Sequence, residues 1–579
     1  MKRDIEKYIL TAAFAVFSFW FWFFLSSGTL RFLETTQIFP FTASHLGKAL
    51  GYPGGISEYI SEFCVQFFHI SFCSSLAVTL AFCLLQALTW KAMKAIKPGH
   101  DALYPLSFVP AFCAWAFLCV LGSMFTAVVA LILTLGYFAV RTRCVKDAWW
   151  KTVMETALLY YIAGPVSLLF PFLLLLKSLA DKDFRHFISA LAGGLAWGLL
   201  PLLWGCFIQY TYIELYRGID YLNSPSEYTP LFYILIASAA AVPLSALLIP
   251  VKQSGKALYW TVFAVLSAGV FAGGWHFVTK HCNPLLERIY EYDKLCCDRD
   301  WNGILEKASE RQPVSLSEIT AVNLALAEKG TLLSEMFRYP QPGPTSLFPD
   351  YAAGYIVSLT ASESVYHSGM LNVARHYSFE EYESYPNYRP SARHIKRLAE
   401  IDLVNGNVKT ARKYLRKLEP TLFYGKWAKK YLADPGLISQ NPEYAALMAC
   451  RDTSRFMYND SSDDDKRLIL RRLVGKGIKY RIPSDYLIAY DLLAKDLRSL
   501  IGDLALVRFD GEVPKHVQEA VCLLGTFDLG CPPEILALAS QETRDSFRAY
   551  QSALIENQAP AMLKSIYGKT YWYYFSTRK

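Results

Sequence analysis

The stretch DAWWKTVMETALLYYIAGPVSLLFPFLLLLK, residues 147–177, decides how this chain folds. It is longer than the roughly 20 residues that an α-helix needs to cross a bilayer. Near its middle lies Ala163-Gly164-Pro165. Proline lacks an amide hydrogen and disfavours helical backbone in the residue before it. The sequence therefore leaves two alternatives here, one tilted helix or two short helices that form a hairpin.

Apolar runs on both sides of this stretch predict a polytopic, all-α membrane domain over residues 1–280. The chain is 53% hydrophobic, and its mean hydropathy of +0.21 is too high for a soluble protein of ordinary charge. The N-terminus is basic but lacks a small-residue cleavage site, which predicts a retained first helix. The candidate spans outside the central stretch are residues 8–27, 69–90, 103–119, 121–140, 187–206, 230–250 and 257–279.

Basic residues choose between the two alternatives, because short cytoplasmic loops collect Lys and Arg. With a hairpin there are about nine crossings, and only Arg31, Lys48 and Arg217 lie outside. Without it, the last two basic clusters also move outside. The clusters that the hairpin places in the cytoplasm are Lys2, Arg3 and Lys7; Lys91, Lys94 and Lys97; Arg141, Arg143, Lys146 and Lys151; Lys177, Lys182 and Arg185; and Lys252 and Lys256. The sequence therefore predicts a cytoplasmic N-terminus, with loops 27–68 and 207–229 and the C-terminal half outside.

Residues 281–579 have helical periodicity with Pro and Gly breaks, which predicts a soluble helical domain. GMLNVARHY, residues 369–377, is repeated as GNVKTARKY, 37 residues later. This spacing is typical of a helix-turn-helix solenoid, and the units resemble tetratricopeptide repeats. Such a domain would bind a periplasmic protein or glycan. The charge pattern gives no support for a nucleic-acid partner.

GYPGGISEYISEFCVQFF, residues 51–68, predicts an amphipathic helix that lies on the membrane surface. Its apolar residues recur at helical spacing, and Glu58 and Glu62 lie opposite them. The expected arrangement puts the two glutamates in water.

The chain is similar to an uncharacterised family of large membrane proteins from Bacteroidetes. The likeness is carried by LETTQIFPF and YPGGISEYISEFCVQFF in the first loop, and by EMFRYPQPGP, SARHIKRLAEIDLVNG and LFYGKWA in the tail. It implies a Gram-negative inner membrane and a periplasmic tail. The layout also resembles that of the GT-C superfamily of membrane glycosyltransferases, with an acidic residue in the first periplasmic loop and a soluble C-terminal domain.

Glu34 is the candidate catalytic residue, because a carboxylate beside the membrane can serve as general base or metal ligand. The competing interpretation is a hydrated loop residue paired with Arg31. No Asp-x-Asp pair follows, so Mg²⁺ or Mn²⁺ stays an open alternative and no metal ligand is assigned. Arg31 and His69 are candidate substrate-binding residues, and the alternative for His69 is an interfacial histidine.

The second loop supplies three further candidate substrate-binding residues, Glu214, Arg217 and Asp220, which share a face if the stretch is helical. Arg217 suits a lipid-linked diphosphate, or it is an interfacial arginine paired with a neighbouring acid.

Two functions remain in view. The first is transfer of a sugar or glycan from a polyprenyl-phosphate donor to a periplasmic acceptor, with no certain cofactor. The second is a membrane-anchored scaffold for envelope complexes. Motifs for nucleotide hydrolysis, dinucleotide binding, zinc proteolysis and α/β-hydrolase action do not occur in the sequence.

Overall fold

The computed structural model describes residues 5–99, 101–142, 148–222, 229–249, 256–350, 355–384, 390–451, 463–509, 511–527 and 529–577. Within these ranges the regular structure is helical, and the only β-type pairing is an isolated bridge between Ser123 and Leu222. The chain divides into two units. The membrane unit comprises Met1–Glu287 and Pro420–Phe423, and the tail unit comprises Arg288–Glu419 and Tyr424–Lys579. The boundary predicted at residue 280 lies within the last helix of the membrane unit.

The membrane unit is built from long apolar helices and short helices in the loops between them. Their bounds are α1 Ile5–Trp20, α2 Ser27–Thr35, α3 Ala43–Ala49, α4 Gly55–Val65, α5 Ser71–Ile96, α6 Val109–Leu118, α7 Phe125–Arg141, α8 Trp149–Ala163, α9 Leu169–Asp181, α10 Phe184–Gly205, α11 Tyr212–Arg217, α12 Pro230–Leu248 and α13 Lys256–His281. A π-helical turn, Phe21–Leu25, extends α1, and a 3-10 helix, Asp101–Phe108, precedes α6.

Seven segments of the described chain are long and apolar enough to span a membrane. They are Ile5–Leu25, Ser71–Ile96, Asp101–Leu118, Trp149–Asp181, Phe184–Gly205, Pro230–Leu248 and Ala257–His281, and α7 is a shorter apolar helix. Large apolar side chains such as Val16, Leu195 and Val265 are exposed on these helices. Such surfaces are stable against lipid, whose hydrocarbon offers no water to the helix backbone. The helices of this unit are therefore compatible with a membrane protein.

The segment Trp149–Asp181 folds back on itself at Gly164. Gly164 has φ +61, outside the helical region, and separates α8 from α9. Gly193 of α10 lies against Thr152 and Thr156 of α8 and also against Pro171 of α9. In one straight helix, Thr152 and Pro171 would be about 28 Å apart. The chain thus forms the hairpin that the basic residues predicted, with α10 packed along both arms.

The hairpin turn brings the first and second loops to one end of the membrane unit, here called the loop end. The Gly54 amide donates to the carbonyl of Tyr161 (2.9 Å), and the Tyr160 hydroxyl donates to the carbonyl of Leu215 (2.9 Å). The Met124 amide donates to the carbonyl of Tyr221 (3.2 Å). An even number of helices must therefore cross the unit between the first and second loops. The number is even only if α8 and α9 cross separately, as they do in the hairpin.

The opposite end of the membrane unit, here called the basic end, joins the other set of connections. Lys7 pairs with Asp101 (2.7 Å), and the Lys97 ammonium donates to the carbonyl of Leu247 (3.5 Å). The Tyr259 hydroxyl donates to Glu6 (3.0 Å). These residues come from the N-terminus and from the ends of two connections in which Lys and Arg are concentrated, the one after α5 and the one between α12 and α13.

The tail unit consists of shorter helices, many of which pair as hairpins. Their bounds are α14 Pro284–Asp298, α15 Trp301–Glu310, α16 Leu316–Lys329, α17 Leu332–Glu335, α18 Tyr355–His367, α19 Leu371–Ser384, α20 Ala392–Asn405, α21 Val408–Leu418, α22 Gly425–Ala433, α23 Pro442–Met448, α24 Asp463–Gly475, α25 Ile482–Ala494, α26 Leu497–Leu504, α27 Lys515–Leu524, α28 Pro533–Leu536, α29 Gln541–Ile555, α30 Pro560–Tyr567 and α31 Tyr571–Thr577.

The repeated sequence marks equivalent turns in two hairpins, α18–α19 and α20–α21. Gly369 and Gly406 follow the first helix of each hairpin with φ +81 and +83, a conformation that glycine adopts without strain. Ala374 and Ala411 of the second helices are fully buried. The two hairpins are thus structurally alike at the repeated residues. A tetratricopeptide-type solenoid for the whole tail stays a prediction.

Candidate functional site

Helix α2 carries two of the predicted site residues, Arg31 and Glu34, in a segment expected to be a loop. Its first amides are bound by Glu287, a residue far along the chain. The amides of Gly28 and Thr29 donate to the Glu287 carboxylate (2.6 and 3.0 Å), as does the Thr29 hydroxyl (2.6 Å). The first amides of a helix have no partner within the helix, and a carboxylate satisfies them well. Glu287 therefore fixes the position of α2.

Three of the predicted residues, Arg31, Glu34 and His69, lie in contacting elements, because α2 packs against the 3-10 helix Gln66–His69. The Arg31 guanidinium donates to the backbone carbonyl of His69 (2.6 Å). The His69 ring stacks on Phe423, with 5.1 Å between ring centroids. Glu34 is only 4% exposed. Burial of a carboxylate is costly unless the surroundings compensate it, so Glu34 is not a freely hydrated loop residue.

The prediction for α4 is wrong in one respect. The helix is amphipathic, but its polar face points into the protein and its apolar face points outward. Glu58 and Glu62 are each 7% exposed, whereas Phe63 is 42% exposed. Helix α4 packs against α7 and α8. The reversal has a physical reason, because lipid at the outer surface favours apolar side chains and leaves the glutamates on the interior side.

His45, which the sequence analysis did not select, joins this acidic group. Its Nε2 lies 2.9 Å from a carboxylate oxygen of Glu62, and its ring contacts Phe39 and Tyr59. His45 lies in α3 and Glu62 in α4. No regular spacing within one helix links the two residues. Only the folded first loop brings them together.

The loop end thus holds three buried glutamates, Glu34, Glu58 and Glu62, together with His45 and Arg31. Carboxylates and imidazole can accept a proton from a hydroxyl group. Within the described ranges, no three His, Cys, Asp or Glu side chains are grouped to hold a metal ion. The arrangement is suited to general base chemistry.

Helix α11 carries Glu214 and Arg217, whereas Asp220 lies beyond the end of the helix, so the three residues do not share one helical face. The helix lies against α10 and the hairpin turn. The Glu214 carboxylate accepts hydrogen bonds from the amide (2.7 Å) and hydroxyl (2.9 Å) of Thr211, and so caps the helix. Arg217 is exposed in the last turn, and Asp220 is half-buried. The Tyr216 hydroxyl donates to the carbonyl of Gly198 (2.6 Å). Residues 223–228 of the predicted loop 207–229 lie outside the described residues.

The tail unit contains a buried ionic centre that the sequence analysis missed. Arg393 binds Asp293 through both terminal nitrogens (2.7 and 2.9 Å), and Arg397 binds Glu363 (2.5 Å). Burial raises the pKa of Asp293. Burial acts the same way on Glu363, but Arg397 and Arg393 outweigh it and hold the Glu363 pKa well below its usual range. These residues come from α14, α18 and α20, so only tertiary structure reveals the cluster.

A comparison with known protein families matches residues 3–578 to a family of unknown function, DUF6057. The chain belongs to this family. No curated protein and no solved structure matches it. The family match carries neither a source organism nor an enzyme class.

Proposed function

We propose that the membrane unit of this DUF6057 chain is a glycosyltransferase that uses a polyprenyl-phosphate-linked sugar or glycan. The observation that carries the proposal is the set of buried glutamates turned inward at the loop end. A short helix that directs carboxylates inward and an aromatic ring outward is expected where a polar group must react beside lipid.

In the proposed reaction, Glu34 accepts the proton of an acceptor hydroxyl or amide group. The acceptor atom then bonds to the anomeric carbon, and the bond from that carbon to the phosphate oxygen breaks. The polyprenyl phosphate leaves with the electron pair. Arg217, at the same end of the unit, would neutralise the departing phosphate, and Arg31 and His69 would line the acceptor site. Glu214 and Asp220 would orient Arg217, and a Mg²⁺ or Mn²⁺ ion remains an alternative partner of the phosphate.

The proposal includes a bacterial inner membrane, with the basic end in the cytoplasm and the loop end in the periplasm. The concentration of Lys and Arg at the basic end supports this orientation. The layout is similar to that of GT-C enzymes, in which a periplasmic loop carries the acidic residue. The tail would then present a protein or glycan acceptor.

A test compares Glu34→Gln and Arg217→Ala in cells that lack the native gene. Polyprenyl-linked saccharides are extracted from membranes and measured by mass spectrometry. Loss of a general base lowers the rate by about 10²–10⁴-fold, so the lipid-linked donor accumulates. Matched controls are Glu6→Gln and Arg185→Ala at the basic end, which should leave donor levels unchanged. Normal donor turnover in both test variants, at normal membrane abundance, would refute the transferase.

A scaffold for envelope protein complexes is the second candidate function. It is supported by the α18–α19 and α20–α21 hairpins and by a cavity of about 460 Å³ in the tail unit. Ser334, Lys515, Gln518, Glu519 and Thr543 line that cavity beside Trp572. If the function is binding alone, Gln518→Ala should impair the cell as gene deletion does, while Glu34→Gln should not.

A further inference from the structure

Two cysteines from distant parts of the sequence meet at the loop end. Cys119 directly follows α6, and Cys282 directly follows α13. Both pack against the same apolar core of the membrane unit, and each thiol lies close enough to influence the pKa of the other.

The register of α6 and α13 explains why the thiols meet. A Cβ atom at Gly274 would lie 2.5–2.8 Å from the ring of Phe112, so these residues are at the same level. Cys119 lies seven residues beyond Phe112 and Cys282 eight beyond Gly274. At 1.5 Å per residue, both are about 10–12 Å further toward the loop end.

Aromatic contacts support the same register independently. Trp115 and Trp275 both contact Phe17, with centroid distances of 5.7 and 4.9 Å. Both also contact Phe21, at 5.0 and 6.0 Å. Helices α6 and α13 are thus held in parallel against the end of α1, and their last residues emerge together.

We propose that Cys119 and Cys282 form a disulfide bond that fastens the outer end of α13 to α6. The oxidant is a protein disulfide of the periplasmic type. One cysteine thiolate attacks it to give a mixed disulfide, and the other thiolate then displaces the oxidant's thiol. The pair loses two electrons and two protons, and the oxidant is reduced to a dithiol. This inference shares the proposed orientation of the loop end and does not depend on transferase chemistry.

The surroundings of the two thiols affect their pKa values in opposite directions. The neighbouring Cys119 thiol stabilises the Cys282 thiolate and lowers the pKa of Cys282, whereas burial raises the pKa of Cys119.

The position of the bond suits the helix that it would fasten. Among the seven membrane-length segments, α13 buries the smallest share of its length. Lipid provides no hydrophobic force between helices, so such a helix gains little from packing alone. Cys282 also begins the short segment that ends at Glu287, the residue that caps α2. A fixed Cys282 would thus hold the cap of the helix that carries Glu34.

The experiment uses the full chain isolated from membranes with acid quenching of thiol exchange. Free thiols are blocked with N-ethylmaleimide under denaturing conditions, and the protein is digested with chymotrypsin without reduction. Mass spectrometry should find a linked peptide pair containing Cys119 and Cys282, which separates on reduction. Recovery of both residues as fully alkylated thiols would overturn the proposal, and this measurement needs no variant.

Variants give a second readout by counting thiols that become reactive only after reduction. Cys119→Ser and Cys282→Ser should each abolish the gain that the wild type shows. Cys206→Ser is the matched control, because Cys206 is an exposed cysteine of the same end. A gain that persists in Cys119→Ser would also overturn the pairing. Donor accumulation in Glu34→Gln is unaffected by either result, so the two proposals fail separately.

Discussion

Glu363 lies between two arginines at the centre of the tail unit, and its side chain is nearly inaccessible to solvent. Replacement by Gln would leave the positive charges of Arg393 and Arg397 buried with one carboxylate fewer. Removal of one partner from a buried ion pair costs about 3–5 kcal/mol. We therefore expect Glu363→Gln to increase amide hydrogen exchange in α18 and α20, measured by mass spectrometry on the full chain in detergent.

The control for this prediction is Glu380→Gln. Glu380 is also paired with a basic side chain, His376 (3.1 Å), but both are well exposed. Exposed pairs contribute about 0–1 kcal/mol, so exchange in α18 and α20 should not change. Equal protection in wild type and Glu363→Gln would show that the ionic centre does not stabilise the tail.

The same residue gives a pH dependence whose sign follows from its lowered pKa. A carboxylate with a pKa lower in the folded than in the unfolded state contributes stability above the unfolded pKa, about 4.3. That contribution disappears as the pH falls from this value toward the folded pKa. The difference in protection between wild type and Glu363→Gln should therefore shrink below about pH 4.

At the residue scale, the sequence located candidates better than it located their partners. Glu34 was found because it follows an apolar run, and the structure buries it beside the membrane helices. His45 and Glu287 were missed because each acts through a residue that is distant in sequence. The inward direction of Glu58 and Glu62 was also missed, since periodicity shows that a helix has two faces but not which face meets lipid.

At the element scale, the hairpin between α8 and α9 depends on Gly164. Its φ of +61 is strained for other residues, and a Cβ atom there would lie 2.7 Å from the Tyr221 hydroxyl oxygen. We expect Gly164→Ala to destabilise the membrane unit by about 1–3 kcal/mol. A lower midpoint of thermal aggregation in detergent would show this effect.

Gly194 in α10 is the matched control for this substitution. A Cβ atom there meets nothing within 4 Å, and the residue lies inside a helix. Alanine is preferred over glycine in helices, so Gly194→Ala should be neutral or slightly stabilising. If residues 149–181 formed one straight helix, Gly164→Ala would behave like Gly194→Ala. The sign of its effect therefore distinguishes the two alternatives.

The elements themselves were largely predictable, because helices of membrane length have a strong compositional signal. The predicted spans agree with the long helices to within a few residues at most ends. Loop structure was not predictable in the same way. Helices α2 and α3 are short, and their position depends on contacts such as the Glu287 cap, which no local pattern encodes.

At the scale of the whole molecule, the placement of the loops determines the parity of the crossings. The structure brings the first and second loops to one end of the membrane unit, and the connections rich in Lys and Arg to the other. In the sequence, only the distribution of Lys and Arg favoured this arrangement. A single helix over residues 147–177 remained an alternative. The backbone conformation of Gly164 is the physical feature that composition could not supply.

Protease access to epitope tags tests this topology at three positions, after Gly99, after Lys182 and after Lys579. Gly99 and Lys182 lie in exposed turns at the basic end. Between them the chain crosses the unit as the 3-10 helix with α6, then as α7, α8 and α9. This is an even number of crossings when α8 and α9 form a hairpin, so both tags then lie on one side. Three membrane-length helices, α10, α12 and α13, separate Lys182 from the C-terminal half. We expect protease added to spheroplasts to remove the tag after Lys579 and to spare the other two until lysis.

Each alternative to this topology produces a different pattern of tag cleavage. A straight helix at residues 149–181 would put the tags after Gly99 and Lys182 on opposite sides. An inverted protein would lose those two tags in intact spheroplasts and keep the one after Lys579. The inverted result would move Glu34, Arg217 and the Cys119–Cys282 pair together to the reducing side, because the structure holds all of them at one end. The proposed transfer reaction and the disulfide therefore both require the tag after Lys579 to be exposed.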